Sequence, residues 1–213
     1  MSYIYLVDDF IANAEQPTHA TSDMAYALDR LGPERLQNSA YRMASFIPKH
    51  PGPDGLYLGP VLGSDFPVEP PNPFHGMYSA VTRLSPATGT SPSGDSGWYP
   101  EEALTVEQAL HGFTRNAAYG WWKEKKTGAI EVGKWADWIV VDRDVLEDQS
   151  GKSLRDVVVT ETWMEGRRMF SIVEKEEKEE SRIAEGILNG MLGGINEVLR
   201  LIFGDKDFTL FSA

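Results

Sequence analysis

An α/β fold is predicted by three observations: short β-prone runs alternate with helical patterns up to about residue 120, a hairpin-like β unit spans 157–172, and apolar residues recur at helical spacing near the C-terminus. Ile4 to Val7 form the first β-prone run. A loop with Gln16, Pro17, Thr18 and His19 follows, since proline biases the residue before it away from helix. Thr21 or Ser22 can then cap a helix that carries Met24, Ala27, Leu28 and Leu31 and is stopped by Gly32 and Pro33. A second helical segment is expected from Glu34 to about Phe46.

From Ile47 to Pro60 the chain carries Pro48, Pro51, Pro53 and Pro60 with glycines between them, a density that predicts loop and turns. Val61 and Leu62 then run into Gly63, Ser64, Asp65, Phe66 and Pro67, which places Asp65 at the C-terminal end of a strand. Gly76 to Leu84 predict a short helix, and Ser85 to Gly97 an exposed Ser/Pro/Gly loop. Thr105 and Gln108 form a capping box, in which the threonine hydroxyl and the glutamine amide satisfy each other's backbone donors. A helix is therefore expected from Val106 to about Tyr119.

Thr127 to Asp137 alternate turn residues with short apolar pairs and deliver the chain into a strand at Trp138 to Val141. Val157 to Trp163 and Arg168 to Ile172, joined through Glu165 and Gly166, read as a hairpin. Glu174 to Glu180, with Lys175 and Lys178 interspersed, reads as a linker or a solvated helical start. Beyond it, Ile183, Ile187, Leu188, Met191, Ile195, Val198, Leu199 and Ile202 recur at spacings of three and four, an amphipathic helix weakened by Gly186, Gly190, Gly193 and Gly194 unless its face packs. No internal repeat is visible.

The 213 residues, 41% of them hydrophobic, suffice for one sizeable core and a small satellite. A net charge of -12 argues against nucleic acid or an acidic membrane face as the main partner and leaves small molecules or proteins. Cysteine is absent, which excludes disulfides, thiolate nucleophiles and Cys-based zinc sites, so any metal must take His and carboxylate ligands. The N-terminal apolar run lacks a basic flank and meets Asp8 and Asp9, a poor signal peptide, and no stretch is long and apolar enough to span a bilayer. A cytoplasmic protein is the expectation.

Asp65 alone reads as an aspartate capping a turn. Three stretches together say more: Gln16 to Met24, Gly63 to Phe74 with Ala80 to Arg83, and Gly128 to Asp142. In order and spacing they resemble the metal-dependent amidohydrolase superfamily, in its branch related to N-substituted formamide deformylase. The resemblance runs to about Phe170 and implies the C-terminal part of a (β/α)8 barrel plus part of a small β-sandwich, with the active site at the C-terminal ends of barrel strands. The terminal amphipathic helix is extra. Barrel at 1–120, sandwich segment at 121–173 and charged linker with helix at 174–213 are the expected divisions.

The same resemblance implies roles for individual residues. Asp65 matches the aspartate of the eighth strand, which contacts the divalent metal, zinc in expectation, and takes a proton from the water that attacks the substrate carbonyl. Gln16, His19 and Asp23 fall in the loop after the seventh strand and would line the substrate pocket, although His19 and Asp23 equally suit holding that loop and helix start. Gly133 and Lys134 lack the spacing of a phosphate-binding loop, so Asp137 and Asp142 read as turn and edge residues. Trp121, Trp122, Trp135 and Trp138 read as core and interface anchors.

The pattern is also departed from. The histidines are His19, His50, His75 and His111, with none of the His-x-His pairs that family members use as ligands. His50 and His111 read as structural or exposed. The expected function is metal-dependent hydrolysis of non-peptide carbon–nitrogen bonds in a small amide-type substrate, with this chain alone inactive and binding no metal. The alternative is a non-enzymatic protein that self-associates through its C-terminal helix, and a fragmentary gene model is a third reading.

Overall fold

A computed structural model describes residues 3–7, 10–49 and 59–203. The expectations for His50 and for most of the proline-rich stretch lie outside the described residues.

Two small sheets organise the chain. In the first, β1 (Tyr3–Val7) pairs antiparallel with β2 (Phe10–Glu15), and β2 pairs parallel with β3 (Val61–Leu62). The sequence reading had a loop where β2 stands, because Ala12, Asn13 and Ala14 carry little β propensity of their own. Neighbours on both sides supply what propensity does not.

Between β2 and β3 the chain makes a helical crossover, the connection that parallel strands require. It consists of α1 (Pro17–Asp23), α2 (Ala27–Leu31), α3 (Pro33–Ser39) and a 3-10 turn at Ala44–Phe46. Thus the helix begins at Pro17, whose missing N–H is harmless at a first helical position, and not behind a Thr21 or Ser22 cap. Thr21 is buried instead and donates to the Thr18 carbonyl at 2.8 Å. The expected segment 34–46 is likewise divided, with Tyr41 at φ +56° between its parts.

After β3 comes α4 (Pro73–Thr82), which starts before the expected Gly76 because Asn72 caps it, accepting from the Phe74 N–H at 3.0 Å. The capping box at Thr105 and Gln108 forms as anticipated and opens α5 (Val106–Phe113). The helix then breaks at Thr114, and α6 (Arg115–Gly120) follows. The Thr114 hydroxyl donates to the Leu110 carbonyl at 2.6 Å, a local competitor with regular helix. Leu36, Met43, Met77, Ala80, Val106, Ala109 and Leu154 are almost wholly buried in the core these elements share.

The second sheet is an antiparallel meander of β4 (Trp138–Val141), β5 (Val159–Met164) and β6 (Arg167–Ser171). Glu165 and Gly166, at φ +51° and +73°, make the two-residue hairpin turn between β5 and β6. The Trp138 and Trp163 rings stack at 5.3 Å across the β4–β5 pair. Asp142 Oδ1 accepts from the Val158 N–H at 3.0 Å and Asp137 Oδ1 from the Glu165 N–H at 2.8 Å, the turn and edge duties their sequence context suggests.

From Ile172 to Phe203 a single helix, α7, leaves β6, so the acid-rich stretch is helix and not linker. Its described side chains from Val173 to Met191 are all exposed. Among the described residues no helix is long and apolar enough to cross a membrane.

Candidate functional site

The parallel pairing of β2 with β3 brings the two segments that carry the expected site residues to one edge. Ala14 stands beside Val61 and Glu15 beside Leu62, and the Gly63 N–H donates to the Glu15 carbonyl at 3.1 Å, so both strands end at the same sheet edge. The Gln16–Asp23 segment and the Gly63–Asp65 segment leave that edge together. Two glycines keep β3 in place: a Cβ on Gly112 would stand 2.5 Å from Leu62 Cδ1, and one on Gly120 would stand 3.0 Å from Val61 Cγ2. Only bare helix surface lets α5 and α6 come this close to the strand.

Gln16 occupies the position before α1 and is 8% exposed, and its buried Oε1 has no hydrogen-bond partner among the described residues. His19 and Asp23 stand one helical turn apart on α1, with Nε2 3.3 Å from Asp23 Oδ2. His19 Nδ1 is likewise buried, with no hydrogen-bond partner among the described residues. The Asp23 carboxylate accepts hydrogen bonds from the Tyr26 and Tyr41 hydroxyls. Both phenols are shifted upward. For Tyr41 burial is the first cause and the Asp23 hydrogen bond the second; for Tyr26 the hydrogen bond leads.

Behind Tyr41 lies an aromatic wall. Its ring is 5.5 Å from that of Trp98, and Trp98 in turn carries the Arg83 guanidinium at 5.7 Å. Arg83 is 1% exposed, donates from Nε to the Trp98 carbonyl at 2.9 Å, and is lowered to about 10 by burial, with Glu102 and Glu15 acting in the opposite direction. It ties the end of α4 to the Trp98 loop.

Asp65 lies just past β3 at φ +54°, in a turn where its carbonyl accepts from the Val68 N–H at 2.9 Å. The residue is exposed, and among the described residues its carboxylate has no hydrogen bond or ion pair. Thus the structure brings Gln16, His19 and Asp23 together and sets Asp65 beyond the same edge, facing solvent. His75 and His111 belong to α4 and α5. No group of three His, Cys, Asp or Glu side chains among the described residues is arranged to hold a metal ion. One carboxylate is too few for a divalent transition metal, which takes three or four protein ligands.

Tyr26 and Tyr41, the two phenols on Asp23, were not anticipated. Tyr26, three residues past Asp23, was within reach of the sequence; Tyr41 was not, since its approach depends on the turn that divides the crossover helices.

A family model described as "Amidohydrolase family" matches residues 11–170. "Protein LONG AFTER FAR-RED 3" of Arabidopsis thaliana is 28% identical over 160 residues, 75% of this chain and 25% of that protein. "N-substituted formamide deformylase" of Arthrobacter pascens is 33% identical over 105 residues, 49% of this chain and 18% of that enzyme. A crystal structure titled as an uncharacterized metal-dependent hydrolase from Pyrococcus furiosus superposes with a TM-score of 0.46 and 29% identity, over 63% of this chain and 24% of that one. The chain spans about a quarter or less of the length of these relatives.

Proposed function

This chain belongs to the amidohydrolase family, and on that premise we propose that it supplies the substrate-side loop and one catalytic carboxylate of a metal-dependent hydrolase acting on non-peptide carbon–nitrogen bonds. The observation that carries the reading is the shared edge of β2 and β3, where Gln16, His19 and Asp23 emerge beside the strand that ends in Gly63, Ser64 and Asp65. In a (β/α)8 enzyme that edge is where the reacting groups gather. Asp65 is the carboxylate this chain contributes to the metal centre; among the described residues no group of three ligating side chains completes it.

Two experiments separate the parts of this proposal. The 213-residue chain alone, with zinc or manganese added, is expected to show no amide hydrolysis, and turnover would contradict that. In a chimaera, residues 11–170 replace the matching part of the Arthrobacter pascens deformylase, and hydrolysis of an N-substituted formamide is followed. The chimaera is expected to be active and Asp65→Asn to lower kcat by about a hundredfold or more. An Asp65→Asn chimaera as active as its parent would refute the assignment.

A second reading is favoured by one observation: on α7, Ile183, Ile187, Leu188 and Met191 are each more than half exposed. Here α7 joins copies of the chain. Deleting residues from Ser181 onward should then abolish association seen by light scattering; a deletion that leaves the mass in solution unchanged per chain excludes this reading.

A further inference from the structure

Between α5, α6 and the β4–β5 sheet lies an open groove of about 640 Å³, whose apolar wall includes Phe113, Ala117, Trp121, Ile130, Ile139 and Met164. Trp121, Ile130 and Met164 are each more than half exposed. Two polar groups in the wall are already engaged, the Thr114 hydroxyl by the Leu110 carbonyl and Asp137 Oδ1 by the Glu165 N–H. An occupant therefore gains by covering apolar surface. The rim of the groove is basic. Lys123 Nζ stands over the Trp121 ring, 5.7 Å from its centroid, and Lys126, next to the groove residue Thr127, stands over the Trp135 ring at 5.6 Å. Among the described residues neither lysine is in an ion pair. In a chain of net charge -12, this rim suits an acidic partner with an apolar continuation.

Helix α7 has that pattern. Its side next to β6 carries Lys175, Lys178, Glu179 and Arg182, which share a cleft with Met169 and Phe170. Glu176, Glu180, Ile183, Ile187 and Met191 succeed one another at spacings of three and four, so they form a separate stripe turned away from that cleft. The three aliphatic members are more than half exposed, and among the described residues neither glutamate is in an ion pair. Because α7 runs unbroken from Ile172 to Phe203 and its described side chains are exposed, it does not fold back into the groove of its own chain. Pairing of α7 with α7 fits the charges less well. Parallel copies would set Glu176 and Glu180 against the same two glutamates, and antiparallel copies would leave the lysine rim unmet.

We propose that α7 of one copy of this chain lies in the α6–β4 groove of another, with Ile183, Ile187 and Met191 against Trp121 and Ile130, and Glu176 and Glu180 toward Lys123 and Lys126. The proposal rests on the self-association reading above and names the surface that receives the helix.

Light scattering on the full chain measures the association, and because the chain has no cysteine, single introduced cysteines report the contact. Ile130→Asp changes a side chain that is 84% exposed, so circular dichroism should stay unaltered while association weakens about tenfold or more. Glu176→Lys together with Glu180→Lys should weaken it as well, and adding Lys123→Glu and Lys126→Glu should restore it. In a mixture of Ile130→Cys chains and Ile187→Cys chains, a short bismaleimide should join one kind to the other more than it joins either kind to itself. Association indifferent to Ile130→Asp, charge reversals that do not restore it, or links confined to Ile187→Cys chains would overturn the proposal and leave self-association standing. A parent chain that stays monomeric at every concentration removes both.

Discussion

Substituting Gly112 by alanine tests how β3, and with it the segment bearing Asp65, is held. The new Cβ would lie 2.5 Å from both Cγ and Cδ1 of Leu62 and 3.2 Å from the Pro60 carbonyl oxygen. Because the branch point itself is struck, rotating the leucine tip does not relieve the overlap. Leu62 is 4% exposed. Overpacking of this kind costs about 1–3 kcal/mol, and this contact belongs near the top of that range. Against it stands the gain of alanine over glycine in a helix, about 1 kcal/mol. The net destabilisation is therefore about 2 kcal/mol, or a fall in Tm of roughly 4–8 °C for a chain of this size. Thermal unfolding followed by circular dichroism at equal protein concentration measures it. In a Leu62→Ala background both leucine contacts are gone and only the 3.2 Å approach to the Pro60 oxygen remains, so the same Gly112→Ala change should cost much less. A Gly112→Ala chain as stable as the parent, or an equal cost in both backgrounds, would refute this packing account.

Two further outcomes are expected. Thr105→Ala removes the side chain that accepts from the Gln108 N–H at 3.2 Å and should cost about 1 kcal/mol in chemical denaturation, whereas Thr105→Asn should recover most of it. Asp148 is held down to about 2, first by the Ser150 hydroxyl and then by the Ser153 N–H. Its folded value lies below its unfolded one, so its contribution is present above about pH 4 and is lost as pH falls through about 2. Asp148→Asn should therefore flatten the acid limb of a stability profile between those values; an unchanged limb would show that the Ser150 and Ser153 bonds carry no linkage.

What could be read from the chain alone was local and chemical. The Thr105 and Gln108 capping box, the hairpin turn at Glu165 and Gly166, and the spacing of His19 and Asp23 each depend on a few adjacent residues, and each stands in the structure. What was missed depends on distant partners. β2 exists because β1 and β3 flank it; the helix beyond Thr105 breaks because the Thr114 hydroxyl finds a carbonyl one turn back. The candidate site divides in the same way. The family resemblance, not the residue types alone, singled out Gln16, His19, Asp23 and Asp65, and the approach of Tyr41 to Asp23 and the exposure of Asp65 depend on turns with positive φ at Tyr41 and Asp65 themselves. Neither residue type announces such a backbone. Arg83, quoted within a motif, proved to be a buried tie between α4 and the Trp98 carbonyl.

The role given to Asp65 is tested most directly by anomalous diffraction from zinc-loaded crystals of the chimaera carrying residues 11–170. One Asp65 carboxylate oxygen should lie about 2.0–2.2 Å from the metal peak, ordinary zinc–carboxylate distance. A fully occupied peak with the Asp65 side chain still turned to solvent would contradict it.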